Sequence, residues 1–209
     1  DFRAFVTENE TVREQLIEWQ TAWMKNYDID YYRVDTVKHV ENTTWSAFKN
    51  ELTESNPEFK LIGEYYGANY TNSTEQLNAG TMDSLLDFGF KDYAKNFVLG
   101  NLLSVETTLA ERNAYLGNAA TLGQFLSSHD ETGLLKTLEN ACGGNTALAE
   151  SLMKVAASLQ ITAKGQPVIY YGEELGQTGE NNYPYQTNRY DFDWEELAKQ
   201  QADETTRQY

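Results

Sequence analysis

Five short apolar runs, alternating with stretches of helical periodicity, limit this chain to a narrow set of folds. The runs lie at 29–34, 59–63, 82–88, 122–127 and 167–171 and read as strands. Ahead of the first run, 9–27 places Val12, Leu16, Trp19, Trp23 and Met24 at helical spacing. Residues 42–54 read as a helix capped by Asn or Thr, 91–112 as a helical stretch, and 145–163 as an Ala- and Leu-rich helix. Strands alternating with helices predict βα units and a parallel sheet. Such strands are covered on both faces, which accounts for runs with little polar alternation. Residues 176–190, rich in Gly, Asn, Tyr and Gln, read as a long loop. Neither an internal repeat nor a dividing linker is visible, so residues 1–209 are expected to form one α/β portion of a larger architecture.

Each of three strands ends in an acid. Tyr-Tyr-Arg-Val leads into Asp35, Lys-Leu-Ile-Gly into Glu64, and Gln-Phe-Leu-Ser-Ser into His129 and Asp130. In a parallel barrel the C-terminal strand ends share one rim, where active sites sit. A single Asp there would also suit a turn or a helix cap. Three such placements point to a site. Converging acids with His129 would suit a divalent metal. Arg33 argues against that reading, because residues i and i+2 of a strand share a face and its cation would oppose a metal. It would instead favour an ionised Asp35. An ionised carboxylate beside a protonated one suits glycoside hydrolysis. The retaining form needs the pair about 5–5.5 Å apart.

Charge narrows the partners. With 16 basic and 32 acidic residues the net charge is −16, which disfavours phosphate backbones and anionic lipid. No apolar run is long enough to span a membrane. The lone Cys142 permits neither an intrachain disulfide nor a thiolate zinc cluster. The 14 Tyr, 9 Phe and 4 Trp either fill core and surface or offer flat platforms for sugar rings. The chain opens Asp-Phe-Arg without Met and reads as a piece of a longer precursor. A secreted or cell-surface bacterial location is expected, with a cytoplasmic one as the alternative.

These residues resemble a known family. Tyr31-Tyr32-Arg33-Val34-Asp35-Thr36-Val37-Lys38-His39 resembles the strand-four motif of glycoside hydrolase family 13, the α-amylase family, with Tyr31 where Gly is usual. Gly63-Glu64 is similar to its strand-five motif. Phe125-Leu126-Ser127-Ser128-His129-Asp130 is similar to its strand-seven motif, with Ser128 in place of Asn. The run from Gly165 to Glu174 (Gly-Gln-Pro-Val-Ile-Tyr-Tyr-Gly-Glu-Glu) resembles the strand-eight segment, and Asp1-Phe2-Arg3 the tail of a conserved loop.

The resemblance implies a partial TIM (β/α)8 barrel, strands four to eight with their helices and strands one to three missing. It implies Asp35 as nucleophile, Glu64 as general acid/base, and Asp130 as the carboxylate that grips substrate hydroxyls and stabilises the transition state. Arg33 and His129 would support the cleavage subsite, and Lys38 and His39 the leaving-group side, unless the last two are a solvated helix start. Tyr65 and Tyr66 would stack on sugar or pack. Asn188-Arg189, before Tyr190, Phe192 and Trp194, resembles a segment that reaches substrate in relatives. Glu173 and Glu174 would brace a loop.

The substrate would be an α-glucan, with α-1,4 and α-1,6 cleavage and transfer all open, in an amylase or pullulanase-type enzyme. No cofactor is needed for the chemistry. Calcium fits the family, with the backbone carbonyl near His39 the one family ligand position in this chain. Open sheet edges would invite a second copy. The rival expectations are a non-catalytic glucan-binding or transporter-associated relative, an inactive fragment and, more distantly, a metal-dependent hydrolase.

Overall fold

The structure, a computed structural model, describes residues 7, 9–117 and 121–202. The Asp1-Phe2-Arg3 motif lies outside them. Two compact units divide the chain, residues 1–88 with 115–123 and residues 89–114 with 124–209.

The first unit opens with α1 (Glu10–Tyr27). The Asn9 side chain accepts from the Val12 amide, and Asp28 closes the helix in a left-handed conformation with φ 53°. There follow β1 (Tyr31–Val34), α2 (Asn42–Ser55), β2 (Lys60–Gly63), the short α3 (Thr74–Asn78), β3 (Ser84–Asp87) and the beginning of β4 (Leu122–Gln124). β1 and β2 are parallel, with Tyr31 opposite Lys60 and Val34 opposite Gly63. β2 and β3 are parallel too, with Ile62 opposite Ser84. The Leu85 amide donates to Thr121 O at 3.3 Å, at the threshold of β4.

β2 and β3 are largely buried, as strands covered on both faces should be. β1 differs: only Val34 is buried, and among the described residues β1 pairs with β2 alone. Met24, Val34, Phe48, Leu52, Phe59, Leu61, Leu85 and Leu122 form the core of this unit. Each fully buried Leu or Phe contributes about 1.5–3 kcal/mol. The cap expected for α2 is not made by Asn or Thr. Its N-cap is Glu41 and no side chain caps it, because Asn42 instead accepts from Gln76 and the Thr44 hydroxyl donates to Thr7 O.

The second unit contains α4 (Phe90–Val98), α5 (Leu102–Tyr115), α6 (Leu134–Ala141), α7 (Thr146–Thr162), β5 (Gln166–Pro167) and α8 (Trp194–Ala202). The helical stretch expected at 91–112 is two helices, because Gly100 at φ 89° turns the chain between them. Phe90, Leu126, Leu134, Leu138, Ala149 and Met153 build the core here.

The last two strands are shorter than their apolar runs. The Val168 amide pairs with Gln124 O at 2.8 Å. The Gln160 side chain donates to that same Gln124 O at 3.0 Å and to Val168 O at 2.9 Å. Arg112 is buried against the Phe90 ring and donates to Gln124 and to Lys164 O. Side-chain amides and a guanidinium thus satisfy main-chain groups that a longer ladder would use.

Candidate active site

In the first unit the ends of β1 and β2 are laced together. The Glu64 amide donates to Val34 O at 2.7 Å and the Val37 amide returns to Glu64 O at 3.0 Å. Thr36, left-handed at φ 52°, donates its amide to Glu64 Oε2 at 2.8 Å. Gly63 fits tightly before Glu64, because a Cβ there would lie 2.8 Å from Leu85 Cδ2 and 3.0 Å from Val37 Cγ2. The absence of a side chain lets the two strand ends approach closely.

One guanidinium serves both carboxylates. Arg33 Nη1 pairs with Asp35 Oδ1, and Arg33 Nη2 lies 3.9 Å from Glu64 Oε2. The two acids differ sharply in setting: the Asp35 side chain is 67% exposed, that of Glu64 9%. Arg33, Asp35, Thr36 and His39 also line a cavity of about 680 Å³ whose apolar wall includes Leu16, Ile17 and Phe48. Lys38 and His39 are exposed on a 3-10 turn. Lys38 Nζ sits 5.6 Å from the centre of the Tyr65 ring, a cation–π distance that ties the two residues together. Tyr65 is half-buried and packs on the core, whereas Tyr66 is exposed and its ring lies 5.1 Å from Phe88.

In the second unit a turn after β4 carries Asp130. Ser128 and Glu131 close it with an antiparallel bridge. Asp130 Oδ2 is 2.9 Å from His129 Nε2, and Oδ1 is 3.1 Å from Arg189 Nη2. Arg189 Nε also donates to His129 O at 3.0 Å, so it holds both the carboxylate and the peptide beside it. Asn181 Nδ2 donates to Asp130 O at 2.6 Å. The 176–190 loop is thus built around Asp130.

Beneath the turn, Ser127 Oγ accepts from the Leu134 amide at 3.1 Å and donates to the buried Glu173. Burial pushes the Glu173 carboxyl up to about 7, and Glu174 adds to this. The Ser127 hydroxyl, the Tyr170 backbone and Lys91 pull the other way. Glu173 thus holds Ser127 beneath the turn, while Glu174 is exposed.

Every candidate site residue is described. Arg33, Asp35, Lys38, His39, Glu64 and Tyr65 gather in the first unit, and His129, Asp130 and Arg189 in the second. Sequence reasoning missed the roles of Thr36, Ser127 and Asn181. None has a signature beyond its neighbourhood to a strand end or a turn. Among the described residues no group of three or more His, Cys, Asp or Glu could hold a metal ion.

Parallel strands that deliver acids at their C-terminal ends, alternating with helices along the chain, define an enzyme-like α/β barrel portion. The chain belongs to the α-amylase family: the family model "Alpha amylase, catalytic domain" matches residues 2–208. It is 31% identical over 169 residues to an alpha-amylase of Streptomyces lividans, covering 75% of this chain and 18% of the relative. It is 30% identical over 178 residues to neopullulanase 2 of Thermoactinomyces vulgaris, covering 83% and 28%. The crystal structure of the Geobacillus thermoleovorans alpha-amylase in complex with acarbose superposes with a TM-score of 0.72 at 26% identity, covering 98% of this chain and 45% of that one. The chain therefore spans less than a third of the length of these two sequence relatives and under half of the solved enzyme. The expected partial (β/α)8 fold is that of these neighbours.

Proposed function

We propose that the protein is a retaining α-glucan hydrolase that works through a covalent glycosyl-enzyme intermediate. The observation that carries this is the Arg33 guanidinium shared between the exposed Asp35 and the sheltered Glu64 at adjacent parallel strand ends. Asp35, open to the cavity, is the nucleophile on the anomeric carbon. Glu64 donates a proton to the leaving oxygen and then takes one from the incoming water. Asp130, oriented by His129 and Arg189, is the third carboxylate and binds hydroxyls of the reacting sugar. Lys38, His39 and Tyr65 form the leaving-group wall.

The acarbose complex of the Geobacillus relative supports an α-glucan substrate class. The bond is α-1,4, α-1,6 or both. A polymeric glucan cannot cross a bilayer, so action on starch goes with a secreted or cell-surface location, and action on short maltodextrins with the cytoplasm. Among the described residues no helix is long and apolar enough to cross a membrane. The unpaired edge of β1 would take a further strand from a second copy or from a longer chain. Calcium would need about 6–8 oxygen ligands. The His39 carbonyl alone does not make such a site, and no step of the chemistry passes through one.

The deciding experiment is reducing-sugar release from starch and from pullulan by the protein that carries this chain, and by its Asp35→Asn variant. Turnover that disappears in the variant supports the reading, and the products from pullulan report the bond. Unchanged turnover would overturn the nucleophile assignment. Glucan binding without turnover in the parent would favour a non-catalytic binder.

A further inference from the structure

Asn188 is 1% exposed and lies against the turn that carries Asp130. Its Nδ2 donates to three main-chain carbonyls of that turn, Ser128 at 3.1 Å, His129 at 2.9 Å and Glu131 at 3.0 Å. Two hydrogens serve three acceptors, so at least one bond is shared. The three acceptors also dictate which way the amide faces. With Oδ1 in that place, four oxygens would crowd one another.

Oδ1 itself is buried without a hydrogen-bond partner. A buried unpaired oxygen costs stability, and the amide is kept at that cost because its Nδ2 serves the three carbonyls of the turn. The amide therefore serves the geometry of the turn rather than packing. Tyr170 adds to the arrangement, donating its hydroxyl to Asn188 O at 3.0 Å and so fixing the backbone from which the amide projects. The next residue, Arg189, binds the Asp130 carboxylate directly.

We propose that Asn188 is a positioning residue for Asp130: its amide gathers the carbonyls on both sides of Asp130 and so sets the direction of the carboxylate, without touching substrate. This rests on the reading of Asp130 as a carboxylate of the reacting site. A displacement of about 1 Å at such a group is enough to cost roughly a hundredfold in rate.

The test compares the parent protein with Asn188→Asp and Asn188→Ser. The first keeps the shape but turns an acceptor toward three carbonyls. The second retains one donor and serves if the first does not fold. Amide-hydrogen exchange is followed on peptides covering 125–133 and on α6 and α7, with no substrate present. In parallel, kcat and KM on a maltooligosaccharide are measured per active site, counted with a mechanism-based glycosyl fluoride.

The expected result is exchange faster by at least about tenfold confined to 128–131, with kcat per site down roughly a hundredfold. KM should change far less, and the Ser variant should fall between. Unchanged exchange at 128–131 overturns the proposal whatever the activity does. So does faster exchange spread evenly through α6 and α7, which would make Asn188 a general brace. Faster local exchange with unchanged kcat per site overturns it as well. A parent that turns over no α-glucan defeats the hydrolase reading instead, and the exchange arm then decides alone whether Asn188 holds the turn.

Discussion

The Thr36 amide donates to Glu64 Oε2 at 2.8 Å, so the peptide that follows Asp35 is tied to the carboxylate of the neighbouring strand. Neither acid can shift far without the other. Asp35 hangs on the turn that Glu64 anchors, and Arg33 closes the triangle from the other side.

This link separates chemistry from stability at position 64. Glu64→Gln keeps an oxygen for the Thr36 amide and should unfold at nearly the parent temperature, while turnover falls by about three orders of magnitude or more. Glu64→Ala should lose the same activity and also the hydrogen bond from the Thr36 amide, a net cost of about 0.5–1.5 kcal/mol. Thermal unfolding of the two variants beside their turnover tests the distinction.

Glu173 makes stability depend on pH. Its carboxyl has an ordinary value of 4.5 and stands at about 7 in the folded protein. Between these values the folded state holds a proton that the unfolded state has released. Stability is therefore fully present below about pH 4.5 and declines as pH rises through about 7, by about 3 kcal/mol for this group. Glu173→Gln, neutral at every pH, should flatten that part of the profile. Unfolding midpoints from pH 4.5 to 8 would show it, and parallel profiles for parent and variant would refute the assignment.

Gly63→Ala should overpack the junction of β1, β2 and β3. The new methyl meets Leu85 Cδ2 at 2.8 Å and Met82 Cγ at 3.1 Å. Both are side-chain atoms that can give way, so the expected loss is about 1–3 kcal/mol rather than failure to fold. Denaturant titration would measure it.

Gly179→Ala should be harsher. Its Cβ would fall 2.1 Å from Thr187 O and 2.5 Å from the Asn188 amide nitrogen, both backbone atoms. The segment 187–189 must move, and with it the Arg189 contact to Asp130. Turnover should fall much further than the unfolding temperature. The reverse pattern would mean that the loop is not built around Asp130.

Much of this was legible in the sequence, for physical reasons. Apolar runs covered on both faces announced β2 and β3, and Asp35 and Glu64 directly follow β1 and β2 as read, whereas Asp130 stands past the end of β4 on a turn. What escaped was settled by partners distant in sequence. β5 shrank to Gln166–Pro167 where the Gln160 side chain takes the carbonyl of Val168. The stretch at 91–112 broke at Gly100, whose left-handed φ is compatible with a helix end and is not dictated by the residue. The helices α6 and α8, of 8 and 9 residues, span little more than two turns each. Asn188 appeared beside Arg189 as a candidate for substrate contact. Only the fold shows that its amide faces inward, onto the chain itself.

The Asp130 turn also has a place in time. Its contacts with Asn181, Asn188 and Arg189 span 51 to 60 residues of chain. Loops of that length close slowly, after local helices have formed. The Asp35–Arg33 pair is separated by only two residues and needs no such closure. A nascent chain that ends before residue 189 would therefore hold the Arg33–Asp35 pair while lacking the side chains that set the Asp130 turn.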